Sequence, residues 1–270
     1  MVSPDPPPAV VAALRAAGCV FAEDEAALLA AAAVSHDELD AMVARRASGV
    51  PLEHVLGWAE FCGLRIAVAP GVFVPRRRTE CLVRQAVAAA PPRPVAVDLC
   101  CGTGAVAAAL AAALGPAGMG LAELHAADLE PAAVGYARQN LAGTGAQVHQ
   151  GDLYAALPGT LRGRVDILAA NVPYVPTGQL PLLPPEARDH EPRRALDGGQ
   201  DGLDVARRAV AGAPDWLAPG GRLLIEATEE QAGTLSRAVT AAGLAAAVTG
   251  CEDLDATVVT GTRARSASAG

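Results

Sequence analysis

From Val95 to Gly104 the chain reads Val-Ala-Val-Asp-Leu-Cys-Cys-Gly-Thr-Gly, an apolar strand that runs into a glycine-containing turn and then a helix over residues 105–114. That unit recurs downstream. Strands are expected at residues 121–127, 147–151, 165–170 and 222–227, and helices at 131–141, 203–213 and 229–241. Strands alternating with helices make a largely parallel sheet covered on both faces. Two closing strands near 245–249 and 256–260 are joined by a short charged turn at Glu252-Asp253, which suggests an antiparallel hairpin at the sheet edge. The fold class is therefore α/β, with a mostly parallel seven-stranded sheet and an antiparallel edge hairpin.

Upstream the pattern differs. Residues 1–8 are Pro-rich and read as frayed, and helices are expected at 10–17, 23–33 and 35–47. Ser35 followed by Glu38 makes a capping box for the third. These form a small helical domain, 1–50, that ends near Gly49-Val50-Pro51. Residues 51–78 read as a hairpin-like linker, punctuated by Gly63 and Pro70-Gly71, and Thr79 as the N-cap of a helix running to about Ala90. The main domain spans 79–262, and 263–270 reads as a disordered tail.

Composition narrows the classes of function. All 21 basic residues are arginine, the formal charge is -8 and the pI is near 5.1. This gives no electrostatic footprint for general nucleic-acid binding, so a protein or small-molecule partner is the easier assumption. Six cysteines without a CxxC pair indicate neither zinc nor a disulfide framework, and reduced, cytoplasmic thiols fit best. The N-terminus lacks the basic and apolar regions of a secretory signal. Residues 99–122 are uncharged but rich in Ala and Gly and broken by Gly115-Pro116, which reads as a glycine loop and a buried helix rather than a membrane span.

Ligands of an open parallel sheet bind beyond the carboxyl ends of the strands, where glycines allow close approach to the backbone. The second strand ends at Asp128, whose carboxylate can accept from both ribose hydroxyls of an adenosine. The third ends at Gly151-Asp152, a further acceptor for the adenine amino group. A dinucleotide would prefer GxGxxG, but Cys100 and Ala107 flank Gly102 and Gly104, which favours a ligand without a diphosphate. Asp98, Cys100, Gly102, Gly104, Asp128, Asp152 and Asn171 form the candidate cofactor-binding set. Cys100 and Cys101 read as small fillers rather than metal or redox groups.

The fourth strand ends in Asn171-Val172-Pro173-Tyr174. An amide or aryl amine is a poor nucleophile because its lone pair is delocalised, and it must be oriented. The Asn171 side-chain oxygen and the Val172 carbonyl can each accept one N–H, turning the nitrogen toward a sulfonium methyl. Tyr174 can wall the planar group, and Pro173 keeps Val172 extended. No general base is assigned. The plainer reading of the tetrapeptide is a strand-ending turn.

With these residues the sequence resembles the class I, Rossmann-like methyltransferases, and more closely the protein-glutamine N5-methyltransferases that modify peptide chain release factors. Carrying the resemblance are Leu56-Gly57-Trp58-Ala59-Glu60-Phe61, Gly71-Val72-Phe73-Val74-Pro75-Arg76 through Thr79-Glu80, Glu191-Pro192, and Ala195-Leu196-Asp197-Gly198-Gly199 with Asp201-Gly202-Leu203. It implies S-adenosylmethionine as cofactor, a Gly-Gly-Gln glutamine of a release factor as acceptor, N-terminal helices that help dock the substrate, and a monomer. Gly102, Gly104 and Asp128 would contact the cofactor, while Asn171, Val172, Pro173 and Tyr174 would frame the glutamine amide. Three departures stand out: Val172 for the usual proline, Cys100 for the first glycine of the loop, and Arg77-Arg78 for the usual Pro-Glu. They allow a divergent paralogue with another protein substrate. The alternative acceptor is an exocyclic amine of adenine or guanine, which the acidic charge opposes. The chain's own Gly198-Gly199-Gln200 reads as coincidence.

Overall fold

The computed structural model describes residues 6–115 and 120–265. The expected frayed start, the break at Gly115-Pro116 and the tail thus fall wholly or in part outside the described residues. Helices α1 (Pro8–Ala16), α2 (Ala22–Ala32), α3 (His36–Ala47) and α4 (Leu52–Leu56) close around Leu14, Ala26, Leu29 and Val55. Ser35 caps α3 by accepting the Glu38 N–H at 3.1 Å. The Glu38 carboxylate, however, takes the Val34 N–H at 2.7 Å, one residue upstream of the partner a capping box requires.

Within the expected linker, α4 precedes the hairpin of β1 (Trp58–Phe61) and β2 (Leu64–Ala67). Five residues are too few to give a periodic signal. The helix holds because Val55 is buried in the bundle and His54 Nε2 donates to the Val72 carbonyl at 3.1 Å. Gly57, at φ +81°, ends it.

The remaining elements are α5 (Glu80–Ala89), β3 (Val95–Leu99), α6 (Ala105–Leu114), β4 (Glu123–Asp128), α7 (Pro131–Asn140), β5 (Gln147–Gln150), β6 (Val165–Ala170), α8 (Pro185–His190), α9 (Arg193–Leu196), α10 (Asp204–Trp216), β7 (Leu217–Ala227), α11 (Glu229–Ala241), β8 (Ala245–Cys251) and β9 (Ala256–Thr262). The sheet order is β5-β4-β3-β6-β7-β9-β8. β3 to β7 run parallel, and β9 is antiparallel to both β7 and β8. This is the seven-stranded, edge-hairpin architecture that the alternation predicts. Buried side chains of α5, α6 and α7 cover one face, and those of α10 and α11 the other. Strand order reverses between β4 and β6 around β3, which opens a crevice at the carboxyl ends of these strands.

Three differences from the sequence reading have physical causes. Thr79 does not cap α5: it lies in a 3-10 turn, Arg77–Thr79, in helical conformation, and its hydroxyl is engaged by Asn171. α10 continues through Pro214 because Trp216 is buried beside the Tyr154 ring, 5.5 Å between centroids. Cys81 of α5 and Cys251 of β8 form a disulfide, contrary to the expected reduced thiols. The pair is 170 residues apart in sequence, and only the position of α5 beside the β8–β9 hairpin brings it together. Among the described residues, no helix is long and apolar enough to cross a membrane.

Candidate functional site

The crevice is a cavity of about 690 Å³ whose wall includes Cys100, Gly102, Asp128, Asp152 and all four residues from Asn171 to Tyr174. Its floor is the turn after β3. Cys100 and Gly102 both have φ +54° and Gly104 has φ +79°, so the chain bends back sharply before α6 begins. Nothing lies within 4 Å of the Cβ position of Gly102, which leaves its backbone open to the cavity. Gly104 serves another purpose: a Cβ there would sit 3.2 Å from the Ala137 backbone, so this glycine lets α6 approach α7 and stays off the main cavity wall.

Asp128 fastens the turn from the next strand. Its Oδ2 accepts the Gly102 N–H at 2.8 Å and its Oδ1 the Glu130 N–H at 2.9 Å. Burial pushes its pKa up, and these backbone donors pull against that rise. Each oxygen keeps acceptor capacity beyond one N–H. Asp152 is exposed at the cavity edge and paired with Arg208 at 2.6 Å, so a ligand donor there must share it with a guanidinium. Asp98 lies behind the turn, beside a smaller cavity of about 40 Å³ that also touches Thr103 and Asn171. Its Oδ2 accepts the Ala107 N–H at 3.0 Å, and burial pushes its pKa up to about 8. Burial also drives the Cys100 thiol far above its ordinary range, which leaves it protonated.

The tetrapeptide is built from period-2 geometry. Leu168, Ala170 and Val172 point to the α10 side of the sheet, while Ile167, Ala169 and Asn171 point to the α5 side. Asn171 Nδ2 donates to Thr79 Oγ1 at 3.0 Å. The following chain is buttressed by the loop that carries Leu196 to Gly202. Val175 pairs with Asp197, and its N–H donates to the Leu196 carbonyl at 3.0 Å. A Cβ on Gly198 would stand 2.6 Å from the Pro173 carbonyl oxygen, and one on Gly202 would collide with that of Tyr174. Gln231, in a capping box with Thr228 at the start of α11, donates its Nε2–H to the Tyr174 carbonyl at 2.8 Å.

The opposite rim comes from the chain before α5 and the loop after the tetrapeptide. The buried Glu191 accepts the Val74 N–H at 3.2 Å and Arg76 at 2.7 Å, and the Arg76 guanidinium lies 5.0 Å from the Phe73 ring centre. Arg46 of α3 binds Glu25 through two nitrogens and Glu186 of α8 at 2.6 Å, so the first helices hold the cavity rim. Sequence reasoning missed Thr79 as a partner of Asn171, and also Arg208, Gln231 and Glu226. Glu226 carried a signal, being an acid within the apolar run Leu223-Leu224-Ile225, whereas Arg208 had none.

The pattern of a family described as "Methyltransferase domain" matches residues 96–188. The release factor glutamine methyltransferase of Mycolicibacterium smegmatis is 40% identical over 265 residues, 91% of this chain and 92% of that protein. The 4-amino-L-phenylalanine/4-methylamino-L-phenylalanine methyltransferase of Streptomyces pristinaespiralis is 41% identical over 191 residues, 68% of this chain and 63% of that one. Among solved structures, a methyltransferase from Pyrococcus furiosus superposes with a TM-score of 0.55 at 15% identity, covering 75% of this chain and 90% of that chain, a likeness of fold.

Proposed function

The chain belongs to the release factor glutamine methyltransferase family, and from that premise we propose that it methylates the side-chain amide nitrogen of a glutamine, in the Gly-Gly-Gln motif of a peptide chain release factor, with S-adenosylmethionine as donor. The observation that carries this reading is the near full-length match to one such enzyme, over 91% of this chain and 92% of that protein.

The cavity suits an adenosyl sulfonium. Of the carboxylates that line it, Glu130 and Asp152 are paired with Arg194 and Arg208, whereas Asp128 faces no cation among the described residues and keeps acceptor capacity for a ligand, and the open backbone of Gly102 admits close approach. The buried Thr103 hydroxyl beside the smaller cavity has no partner of its own. When bound, the cofactor supplies a methyl group on a positively charged sulfur that leaves readily. Asp128 and Asp152 are the residues that would hold its adenosine, and Gly102 the amino-acid portion.

What remains for the protein is to orient a weak nucleophile. With Nδ2 committed to Thr79, Asn171 has its Oδ1 free to accept one N–H of the glutamine amide, and the Val172 carbonyl takes the other. Tyr174 walls the planar group. Burial raises its pKa, so its phenol stays neutral. The proposed division is a helical docking unit over 1–50, a linker over 51–78 whose helix α4 packs against that unit, and a catalytic unit over 79–262. The Streptomyces pristinaespiralis relative favours a second reading, in which the planar nitrogen is an aryl amine of a small molecule.

The deciding experiment incubates the protein with labelled S-adenosylmethionine and a release factor from the same organism, followed by peptide mapping. Label on the glutamine of the Gly-Gly-Gln peptide is the expected result. Cofactor binding without label there, or transfer to an aryl amine alone, would overturn the assignment.

A further inference from the structure

Asn171 works only if its carboxamide faces one way. The amide has a donor end and an acceptor end of nearly the same shape, and a flip would present N–H groups to an acceptor that is itself an N–H donor. Asn171 Nδ2 meets Thr79 Oγ1, but a hydroxyl both donates and accepts, so Thr79 alone leaves either orientation possible. A further group must decide where the Thr79 proton goes.

That group stands next to them. β6 and β7 are parallel with Ala170 opposite Ile225, which places Asn171 and Glu226 side by side one step further on. Leu224 and Ala169 point to the α5 side of the sheet, and so, by the same alternation, do Glu226 and Asn171. Thr79, at the start of α5, lies over both and is itself buried. The Glu226 side chain is 2% exposed, Arg78 Nε lies 3.4 Å away, and both carboxylate oxygens are without a hydrogen-bond partner among the described residues, so they are open to the Thr79 hydroxyl, whose proton is free to turn. Burial raises the Glu226 pKa, and the Thr79 hydroxyl is the first group that offsets the rise, followed by the charge of Arg78.

We propose that Glu226 and Thr79 are positioning residues that fix the orientation of the Asn171 carboxamide, through a one-way chain of donors running from Asn171 to Thr79 to Glu226. The Arg78 guanidinium 3.4 Å away favours the ionised form of Glu226, and an ionised carboxylate only accepts. It therefore draws the Thr79 proton, leaves the Thr79 lone pair for Asn171 Nδ2–H, and turns Asn171 Oδ1 toward the cavity. Neither residue touches the acceptor. The inference rests on the acceptor-holding role proposed for Asn171.

The test uses the full-length protein carrying Thr79→Val, Thr79→Ser or Glu226→Gln. Valine keeps the shape and removes the hydroxyl, serine keeps the hydroxyl, and glutamine can donate to Thr79 and so reverse the chain. Transfer to the release factor should fall by roughly 10- to 100-fold in kcat for Thr79→Val and Glu226→Gln, as misplacement of an orienting group does. Cofactor affinity measured by calorimetry should stay unchanged, and Thr79→Ser should recover most of the rate. Full kcat in Thr79→Val or in Glu226→Gln, or a serine variant as slow as the valine one, would overturn the proposal. If Glu226→Gln does not fold, Glu226→Asp, which keeps an acceptor-only group, takes its place: it should retain most of the rate, and a loss as large as that of Thr79→Val would overturn the proposal. Failure of the substrate assignment is separable, because the Asn171 Nδ2 protons should show nuclear Overhauser contacts to the Thr79 methyl in the wild type and weaker ones in Glu226→Gln, whatever the substrate.

Discussion

Asp128 Oδ2 accepts the Gly102 N–H at 2.8 Å, so the carboxylate at the end of β4 sets the shape of the turn that ends β3. A residue expected from sequence to face only the ligand also shapes the floor beneath it. Asp128→Ala should therefore weaken S-adenosylmethionine binding by about 1.5 to 3 kcal/mol, the worth of a hydrogen bond to a charged group. Asn171→Ala should show the opposite profile, with transfer abolished and cofactor binding largely spared. Isothermal titration beside a transfer assay separates the two. Unchanged affinity in the Asp128 variant would remove its ligand role.

Gly202 has φ +80°, and a Cβ there would collide with the Tyr174 carbonyl oxygen and with Gln231 Nε2. Gly202→Ala should cost about 2 to 3 kcal/mol of stability through backbone strain and displacement of the tetrapeptide. Transfer should fall more than cofactor affinity. Thermal melts and kcat on the release factor measure both, and a fully active alanine variant would mean that the loop does not brace Tyr174.

Cys100 holds φ +54° where a glycine would sit without penalty. A side chain in this region costs roughly 1 to 2 kcal/mol, partly offset by the greater unfolded-state freedom of glycine. Cys100→Gly should leave the protein as stable as before or up to about 1 kcal/mol more stable. Denaturant unfolding checks this, and a loss of stability would show that thiol packing outweighs the backbone.

Burial pushes the Asp98 pKa up to about 8, against about 4 for an exposed aspartate. Folding therefore takes up a proton between these values. The stability that neutral Asp98 contributes is complete below about pH 4 and is lost as the pH rises toward about 8. Asp98→Asn stays neutral throughout, so its melting temperature without cofactor should gain on the wild type from about pH 5 to pH 8. Parallel curves would mean that Asp98 ionises as freely in the folded protein as in the unfolded chain.

Cys81 and Cys251 are joined, and Cys19, Cys62, Cys100 and Cys101 are free. Denatured, unreduced protein should thus expose four reactive thiols out of six. Reduction should lower the melting temperature, since cross-linking a loop of this length is worth up to about 5 kcal/mol in the chain-entropy view. Six reactive thiols before reduction would contradict the bridge.

What could be read from sequence is what local pattern encodes. The alternation of apolar runs gave the seven strands, and Asn171 to Tyr174 announced itself at a strand end. Relationships made by distant chain were not readable. Thr79 looked like a helix cap because a threonine before a helix usually is one, and only β6 packing beneath α5 claims its hydroxyl. Glu191 and Gly198 carried resemblance but no physical reason until Val74, Arg76 and Pro173 came beside them. α4, α8 and α9 are too short for periodicity to register.

The bridge between Cys81 and Cys251 also turns the intervening chain into a closed covalent ring. That ring contains the glycine turn, the tetrapeptide and the loop that braces it. One peptide bond cut anywhere along it yields two ends but still a single molecule. A protease that nicks the enzyme once inside the ring would leave its mass, apart from one added water, unchanged on a non-reducing gel, and would reveal two fragments only after reduction.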